Sequence, residues 1–160
     1  MGKLTGTAHG DAANDLLAFY SDKVLELERA GQFYMAAVAL AFTLETAILT
    51  YLLVEFGEDN GGELRIPDSV DMAELIAAAN EIDVLNAPTD IPSHAGEDED
   101  EARPKHVAKD VVDKIRRFRN LIHPARALRD GFNPRAFTRE QFDEYRAMYE
   151  SVTHSLLYYL

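Results

Sequence analysis

The sequence predicts an all-α protein, an antiparallel bundle of four to five helices. Apolar residues recur at spacings of three and four over most of the 160 residues, which is the period of a helix with one buried face. No segment alternates apolar and polar residues for long enough to predict a strand. Turn clusters rich in glycine or proline separate the periodic segments. We therefore expect one helical domain spanning residues 1–160, long enough to bury a substantial core.

The first two helices are predicted to be joined by a short turn. The first covers Asp11 to Glu28, with Asn14 or Asp15 as its N-cap. Gly31 is expected to stop it. Its apolar positions are Leu16, Leu17, Tyr20, Val24 and Leu27. The second helix covers about Phe33 to Phe56 and is apolar over most of its circumference, as expected for the central helix of a bundle.

A third and a fourth helix are predicted on either side of an acidic segment. The third follows Pro67, and one of its faces carries Met72, Leu75, Ile76 and Ala79. The fourth begins near Pro104, and its apolar face carries Val107, Val111, Ile115 and Phe118. The segment between them, residues 87–105, holds three prolines and the run Glu97 to Glu101. We interpret it as a mobile loop within the domain.

The last helix is predicted to follow a turn-rich connection from Arg126 to Phe137. Thr138 and Gln141 have the spacing of a capping box, which marks a helix start. The helix is expected to run to Leu160. Its apolar side carries Phe142, Tyr145, Met148, Tyr149 and Val152.

The composition limits the cellular compartment and the kinds of chemistry that we expect for this chain. The chain has no cysteine, which excludes disulfides, thiolate catalysis and thiolate metal sites. Residues Met1 to Asp11 lack the pattern of a signal peptide, so a cytoplasmic location is expected. The formal net charge of -12 should repel nucleic acid everywhere except at a local basic patch.

One segment is long enough to be weighed as a membrane span. Met35 to Val54 is twenty residues long and carries a single charge, Glu45, near its middle. A carboxylate at that depth costs on the order of 2.5–3.5 kcal/mol on insertion scales. A buried core helix is therefore the favoured interpretation, and no membrane association is expected.

The fourth helix is the strongly basic part of the chain. Lys109, Lys114, Arg116, Arg117 and Arg119 fall within eleven residues, and Arg126 and Arg129 follow. If the helix continued to His123, then Arg116, Arg119 and His123 would share one face. Histidine can exchange protons near neutral pH, arginine can bind phosphate, and Asn120 could orient either group. Phosphodiester cleavage needs such groups.

The same segment also has a purely structural interpretation. Basic residues in a last turn favour a helix C-terminus, and Pro124 marks a break. His123 precedes that proline, so its backbone is biased away from the helical conformation. The local pattern leaves both interpretations open.

A family resemblance bears on this choice. The segment Phe118 to Arg126 resembles the Arg-Asn…His-Pro signature of HEPN-like proteins (higher eukaryotes and prokaryotes nucleotide-binding). The helix containing Leu44-Glu45 looks like the core helix of that family, and Asp71 to Ile76 resembles the stretch before its motif helix. The similarity covers Phe33 to Arg126.

The resemblance implies a ribonuclease that needs no metal and no cofactor, of the toxin or defence type, with two motifs meeting across a homodimer. His123 would transfer protons and Asn120 would be the polar residue of the motif. Family members separate the arginine from the histidine by four to six residues. Arg119 precedes Asn120 but is separated from His123 by three residues, whereas Arg117 is separated by five and Arg116 by six.

Arg117 and Arg126 are the candidate substrate-binding residues, for RNA or a nucleotide, and a protein partner such as an antitoxin is a further candidate. One alternative function is a non-catalytic module that binds a nucleotide, RNA or protein. Another is a structural dimer whose basic patch neutralises its acidic partner subunit.

Three further groups carry open interpretations. Glu45 needs a partner within its apolar helix, and it either forms a structural pair or orients Arg116 or Arg119. His94 and His106 flank the acidic run, but their irregular spacing favours a solvated loop over a metal site. The C-terminal tyrosines could stack on bases, although core or dimer packing is favoured; they are Tyr145, Tyr149, Tyr158 and Tyr159.

Overall fold

The computed structural model describes residues 2–59, 63–66, 72–81, 85, 88–89 and 106–158. These residues form six α-helices, and the predicted all-α class is confirmed. The helices are α1 (Gly6–Arg29), α2 (Phe33–Asp59), α3 (Met72–Glu81), α4 (Ala108–Arg119), α5 (Pro124–Arg129) and α6 (Arg139–Tyr158). Two 3₁₀ turns, Asn120–Ile122 and Pro134–Ala136, flank the short α5.

Four short segments pair beside the helices. β1 (Gly2–Thr5) pairs antiparallel with β2 (Glu63–Ile66), and β3 (Pro88–Thr89) pairs antiparallel with β4 (His106–Val107). The second pair brings together the two ends of the acidic segment. The predicted mobile loop itself falls largely on residues 90–105, which lie outside the described part of the chain, as does His94.

The turn between α1 and α2 forms at Gly31, as the sequence predicts. Gly31 has a φ of 71°, which favours glycine. Its N–H donates to the Glu28 carbonyl at 2.9 Å, and the Gln32 N–H donates to the Leu27 carbonyl at 2.9 Å. This pair of hydrogen bonds is a Schellman motif, so α1 ends where glycine allows the left-handed residue.

The start of α1 differs from the prediction. The helix begins at Gly6, so Asn14 and Asp15 lie in its interior and neither is an N-cap. Both side chains are exposed, where they remain hydrated and leave no buried polar group unsatisfied. Leu16, predicted on the apolar face, is 47% exposed.

Helix α2 is the centre of the packing. It contacts α1, α3, α4 and α6. Its segment Phe33–Leu53 has a mean hydropathy of 1.8, enough by length and composition to cross a membrane, but 72% of that window is buried against the rest of the chain. Such burial is typical of the core helix of a soluble protein, which can be as long and as apolar as a membrane span.

Two clusters of buried side chains lie against α2. The first contains Leu44 and Ile48 of α2, Met72, Leu75, Ile76 and Ala79 of α3, Val112 and Ile115 of α4, and Val152 of α6. The second contains Val24 of α1, Ala36 and Leu40 of α2, Phe118 of α4 and Phe142 of α6. The predicted apolar face of α3 is therefore buried in full.

The starts of α4 and α6 contrast in how well local sequence predicts them. α4 begins at Ala108 and not near Pro104, because His106 and Val107 are paired in β4. α6 begins after the predicted capping box: the Gln141 N–H donates to Thr138 Oγ1 at 3.2 Å, and the Thr138 N–H donates to Gln141 Oε1 at 2.9 Å. The described part of α6 ends at Tyr158.

Candidate nucleic-acid interface

The basic helix α4 does not continue to His123. It ends at Arg119, a 3₁₀ turn follows, and His123 adopts an extended conformation with φ −76° and ψ 120°. Pro124 then opens α5, and the His123 carbonyl accepts two hydrogen bonds of 3.0 Å from N–H groups in its first turn. The condition for Arg116 and Arg119 to share one helix face with His123 is therefore not met, as the pre-proline bias indicates.

Two arginines of α4 are held by carboxylates. Arg119 Nη2 lies 3.3 Å from Glu45 Oε2, and its guanidinium lies 4.9 Å from the centroid of the Phe42 ring. Arg116 Nε donates to Asp113 Oδ1 at 3.0 Å. The structure thus identifies Arg119, of the two arginines considered, as an ion-pair partner of Glu45.

A different face of α4 lines an open cleft. Lys114, Arg117 and Phe118 have the spacing i, i+3 and i+4, and together with Leu121 of the following 3₁₀ turn they line a cleft of about 640 Å³. Arg117 and Arg119 are two positions apart and therefore point in nearly opposite directions around the helix. The other walls come from α5, the second 3₁₀ turn and α6.

Three cations line the cleft against one carboxylate. Lys114 and Arg117 come from α4 and Arg126 from α5. Arg126 Nε lies 3.8 Å from Asp130 Oδ2, and Arg129 Nε donates to Asp130 Oδ1 at 2.8 Å. That hydrogen bond, and the charges of both arginines, lower the pKa of Asp130.

Asp130 is therefore ionised at neutral pH, but it is shared between two arginines. Among the described residues, no carboxylate forms an ion pair with Lys114 or Arg117. The cleft consequently keeps a positive excess in a chain whose formal net charge is -12. Such a local excess attracts anions through short-range electrostatics.

Aromatic side chains form the floor and one wall of the cleft. Phe118 is buried, and its ring centroid lies 4.3 Å from that of Tyr145 and 5.2 Å from that of Phe137. Phe132, Phe137 and Tyr145 are partly buried and all line the cleft. Burial, with a smaller contribution from the charge of Glu144, raises the pKa of Tyr145, so its hydroxyl stays protonated.

The end of α5 brings part of this wall into place. Gly131 has a φ of 65°, and the Phe132 N–H donates to the Ala127 carbonyl at 2.9 Å, which completes a second Schellman motif. The chain therefore reverses after α5. As a result, the Phe132 ring lies 6.1 Å from the Phe118 ring of α4.

The predicted site residues are divided between this cleft and other positions. Arg117 and Arg126, the candidate substrate-binding pair, both line the cleft. Arg116, Arg119 and Asn120 do not. His123 is exposed and does not line it either, so the structure does not gather the predicted catalytic set in one place.

Some cleft residues do not stand out in the sequence. In the sequence, Lys114 is not distinguished from the other basic residues of α4. Nothing in the local pattern marks Asn133 or Gln141 as a ligand contact. The helical spacing of Lys114, Arg117 and Phe118 is the signal that could have identified the α4 side of the cleft. Tyr145, a candidate for stacking, both packs in the core and lines the cleft.

Comparisons with protein-family models, curated proteins and solved structures give no match. Within the described residues, no three metal-binding side chains of histidine, aspartate or glutamate come together. The geometry and charge of the cleft are therefore the basis for a functional proposal.

The ion pair between Glu45 and Arg119 should stabilise the fold. Both side chains are about one-fifth exposed, so removing one partner with Arg119→Gln is expected to cost about 1–3 kcal/mol, less than for a fully buried pair. Glu45→Gln should act through the same interaction, so urea unfolding of both single variants and the double variant should give a coupling of about 1 kcal/mol.

The matched control is the local pair on the same helix. Arg116 and Asp113 are more exposed and three residues apart, so Arg116→Gln should cost about 0.3–0.5 kcal/mol. Equal losses in the Arg116 and Arg119 variants, or additive effects at Glu45 and Arg119, would contradict a stabilising pair between α2 and α4.

Proposed function

We propose that this chain is a HEPN-like domain that binds RNA through its phosphates in the cleft between α4, α5 and α6. The observation that carries the proposal is the convergence of Lys114, Arg117 and Arg126 on one cleft with an aromatic wall. One guanidinium group can donate two hydrogen bonds to two oxygens of the same phosphate, and aromatic rings stack on unpaired bases. The combination is suited to single-stranded RNA or a nucleotide.

The negative net charge of the chain limits where RNA can bind. A protein with a formal net charge of -12 repels a polyanion over most of its surface. Binding therefore has to depend on the cations whose charge no carboxylate neutralises within the described residues, which are above all Lys114 and Arg117. This predicts a local footprint and strong salt dependence.

A second candidate function is cleavage of the bound RNA without a metal, as in the ribonucleases of the HEPN-like family. It is favoured by the exposure of His123, and the ion pair between Arg119 and Glu45 makes Arg117 the better candidate for its arginine. Arg117 has no carboxylate partner among the described residues and is separated from His123 by five residues, which lies within the family's range of four to six. In this proposal Arg117 takes the role that Arg119 has in the sequence motif.

The cleavage proposal includes a homodimer that places two copies of His123 near the same RNA. His123 would accept the proton of the 2′-hydroxyl, whose oxygen attacks phosphorus. The imidazolium of one of the two His123 copies then donates a proton to the leaving 5′-oxygen, and a 2′,3′-cyclic phosphate remains. Such a protein would act in the cytoplasm as a toxin or defence factor, with an antitoxin as a candidate partner.

Replacing Arg117 should weaken RNA binding more than replacing an arginine elsewhere. Arg117→Gln removes a cleft cation, so affinity for a labelled single-stranded RNA should fall about 3- to 10-fold in low salt. The dependence of log K on log salt should also become shallower, by about 0.7 for each phosphate that the variant no longer neutralises. Fluorescence anisotropy over a salt series measures both quantities.

The control is Arg29→Gln, which changes the net charge equally. Arg29 is exposed at the end of α1 and does not line the cleft. Its replacement should leave the salt slope unchanged. Equal weakening by both variants would show that binding depends on total charge and would contradict the cleft proposal.

A further inference from the structure

We infer that the cleft also contains a base-recognition subsite, in which two side-chain amides select guanine or cytosine over adenine. The inference rests on the proposed function, because it concerns the base attached to the bound phosphate. The two amides belong to Asn133, which precedes the second 3₁₀ turn, and to Gln141 in the first turn of α6. Both side chains line the cleft.

The backbone fixes the orientation of both amides. Asn133 Oδ1 accepts a hydrogen bond of 3.1 Å from the Arg135 N–H, and Gln141 Oε1 accepts one of 2.9 Å from the Thr138 N–H. A backbone N–H can only donate, so in each amide the oxygen must face the backbone. The NH₂ groups remain, and among the described residues neither donates to a protein acceptor. Both residues therefore offer donors to a ligand.

A pair of donors discriminates among bases. Asparagine and glutamine read adenine by donating to N7 while their oxygen accepts from the N6 amino group. Here the oxygens face the backbone and the two amides present NH₂ donors, and the N6 amino group of adenine is itself a donor that cannot pair with them. Guanine presents two neighbouring acceptors, O6 and N7, and cytosine presents O2 and N3. These edges match two NH₂ donors.

The size and layout of the cleft suit a whole nucleotide. Its volume of about 640 Å³ lies within the range of roughly 300–1,000 Å³ typical of small-ligand sites. Lys114 and Arg117 lie on α4, whereas Asn133 precedes the second 3₁₀ turn and Gln141 lies in the first turn of α6. The partly buried rings of Phe137 and Tyr145 line the cleft as well. The cations proposed to bind phosphate and the amides proposed to bind the base therefore come from different elements.

Calorimetric titration with defined ligands tests the subsite. Guanosine or cytidine 5′-monophosphate should bind about tenfold or more tightly than adenosine 5′-monophosphate, and also than ribose 5-phosphate, which has no base. Equal affinity for the adenine nucleotide would overturn the amide selection. Equal affinity for ribose 5-phosphate would overturn the base subsite while leaving the phosphate-binding proposal intact. Binding of none of them would overturn both proposals.

Two nearly isosteric variants test the amides directly. Gln141→Glu and Asn133→Asp keep the oxygen that caps each turn but replace the NH₂ donor with an anionic oxygen. The added charge weakens any phosphate binding, so the readout is the affinity for the preferred nucleotide divided by that for ribose 5-phosphate. This ratio should fall about 5- to 10-fold.

Gln32→Glu provides the matched control, since Gln32 is exposed in the turn between α1 and α2. It introduces the same charge away from the cleft and should leave the ratio unchanged. An unchanged ratio in both cleft variants would show that the amides do not contact the base, and would overturn the inference.

Discussion

A His123→Ala variant is expected to cleave RNA about 10²- to 10⁴-fold more slowly than the unchanged chain, under the proposal that the chain is a ribonuclease. The decrease in rate reflects removal of the group that takes the proton from the 2′-hydroxyl or returns one to the 5′-oxygen. The measurement is the rate of cutting of end-labelled RNA in EDTA. Products should carry a 2′,3′-cyclic phosphate, and DNA of the same sequence should stay intact because it lacks the nucleophile.

The fold itself should tolerate this substitution. The His123 side chain is exposed and makes no capping hydrogen bond, since it is the backbone carbonyl that holds the first turn of α5. The melting temperature should therefore change by no more than about 2 °C. Full activity in the variant, or no cleavage by the unchanged chain in EDTA, would contradict the ribonuclease proposal and leave the binding proposal standing.

The same assay distinguishes Arg117 from Arg119. Arg117 lines the cleft, whereas Arg119 is paired with Glu45 and packed on Phe42. Arg117→Ala should thus slow cleavage without loss of stability, whereas Arg119→Ala should chiefly lower stability. The reverse result would return the role to Arg119, as the Arg-Asn order in the sequence favours.

Local sequence signals predicted the helices well where one face is buried. The spacing of Met72, Leu75, Ile76 and Ala79 predicted α3, and all four side chains are buried. The capping box at Thr138 works because both partners lie within one turn. Gly31 ends α1 for an equally local reason, its left-handed conformation. Such features depend on neighbours in sequence, so a single sequence is enough to show them.

Two helix starts were predicted wrongly, for different reasons. α4 begins at Ala108 because the residues before it pair with Pro88 and Thr89, and strands of two residues leave no alternation to detect. α1 begins before its supposed caps Asn14 and Asp15. Asparagine and aspartate mark caps only statistically and also occur on exposed helix faces.

The candidate site was predictable in its residue types but not in its grouping. The sequence placed seven basic residues in and just after the fourth helix, yet it could not show which of them meet carboxylates. Glu45 reaches Arg119 from another helix, and this contact separates Arg119 from the cleft face. The cleft itself depends on the chain reversal at Gly131, which returns Phe132 towards α4. These are tertiary contacts between segments with no shared local pattern.

The stability of the bundle should depend strongly on Phe142. This side chain is fully buried, its ring lies 6.2 Å from that of Phe33, and the Arg146 guanidinium lies 4.6 Å from its centroid. Phe142→Ala would remove most of that buried surface and leave a cavity between α2, α4 and α6, because neighbouring helices relax only partly. The expected decrease is about 3–5 kcal/mol in the free energy of unfolding, against about 5–15 kcal/mol for a typical domain.

Urea unfolding followed by circular dichroism measures the effect of Phe142→Ala as a lower midpoint at similar slope. The matched control is Phe19→Ala on α1, where the same substitution falls on a side chain that is 53% exposed. Its cost should stay within about 0.5 kcal/mol, because little surface leaves the core. If Phe142→Ala costs no more than Phe19→Ala, the second buried cluster does not hold α6 against α2, and the proposed cleft loses the support of its α6 wall.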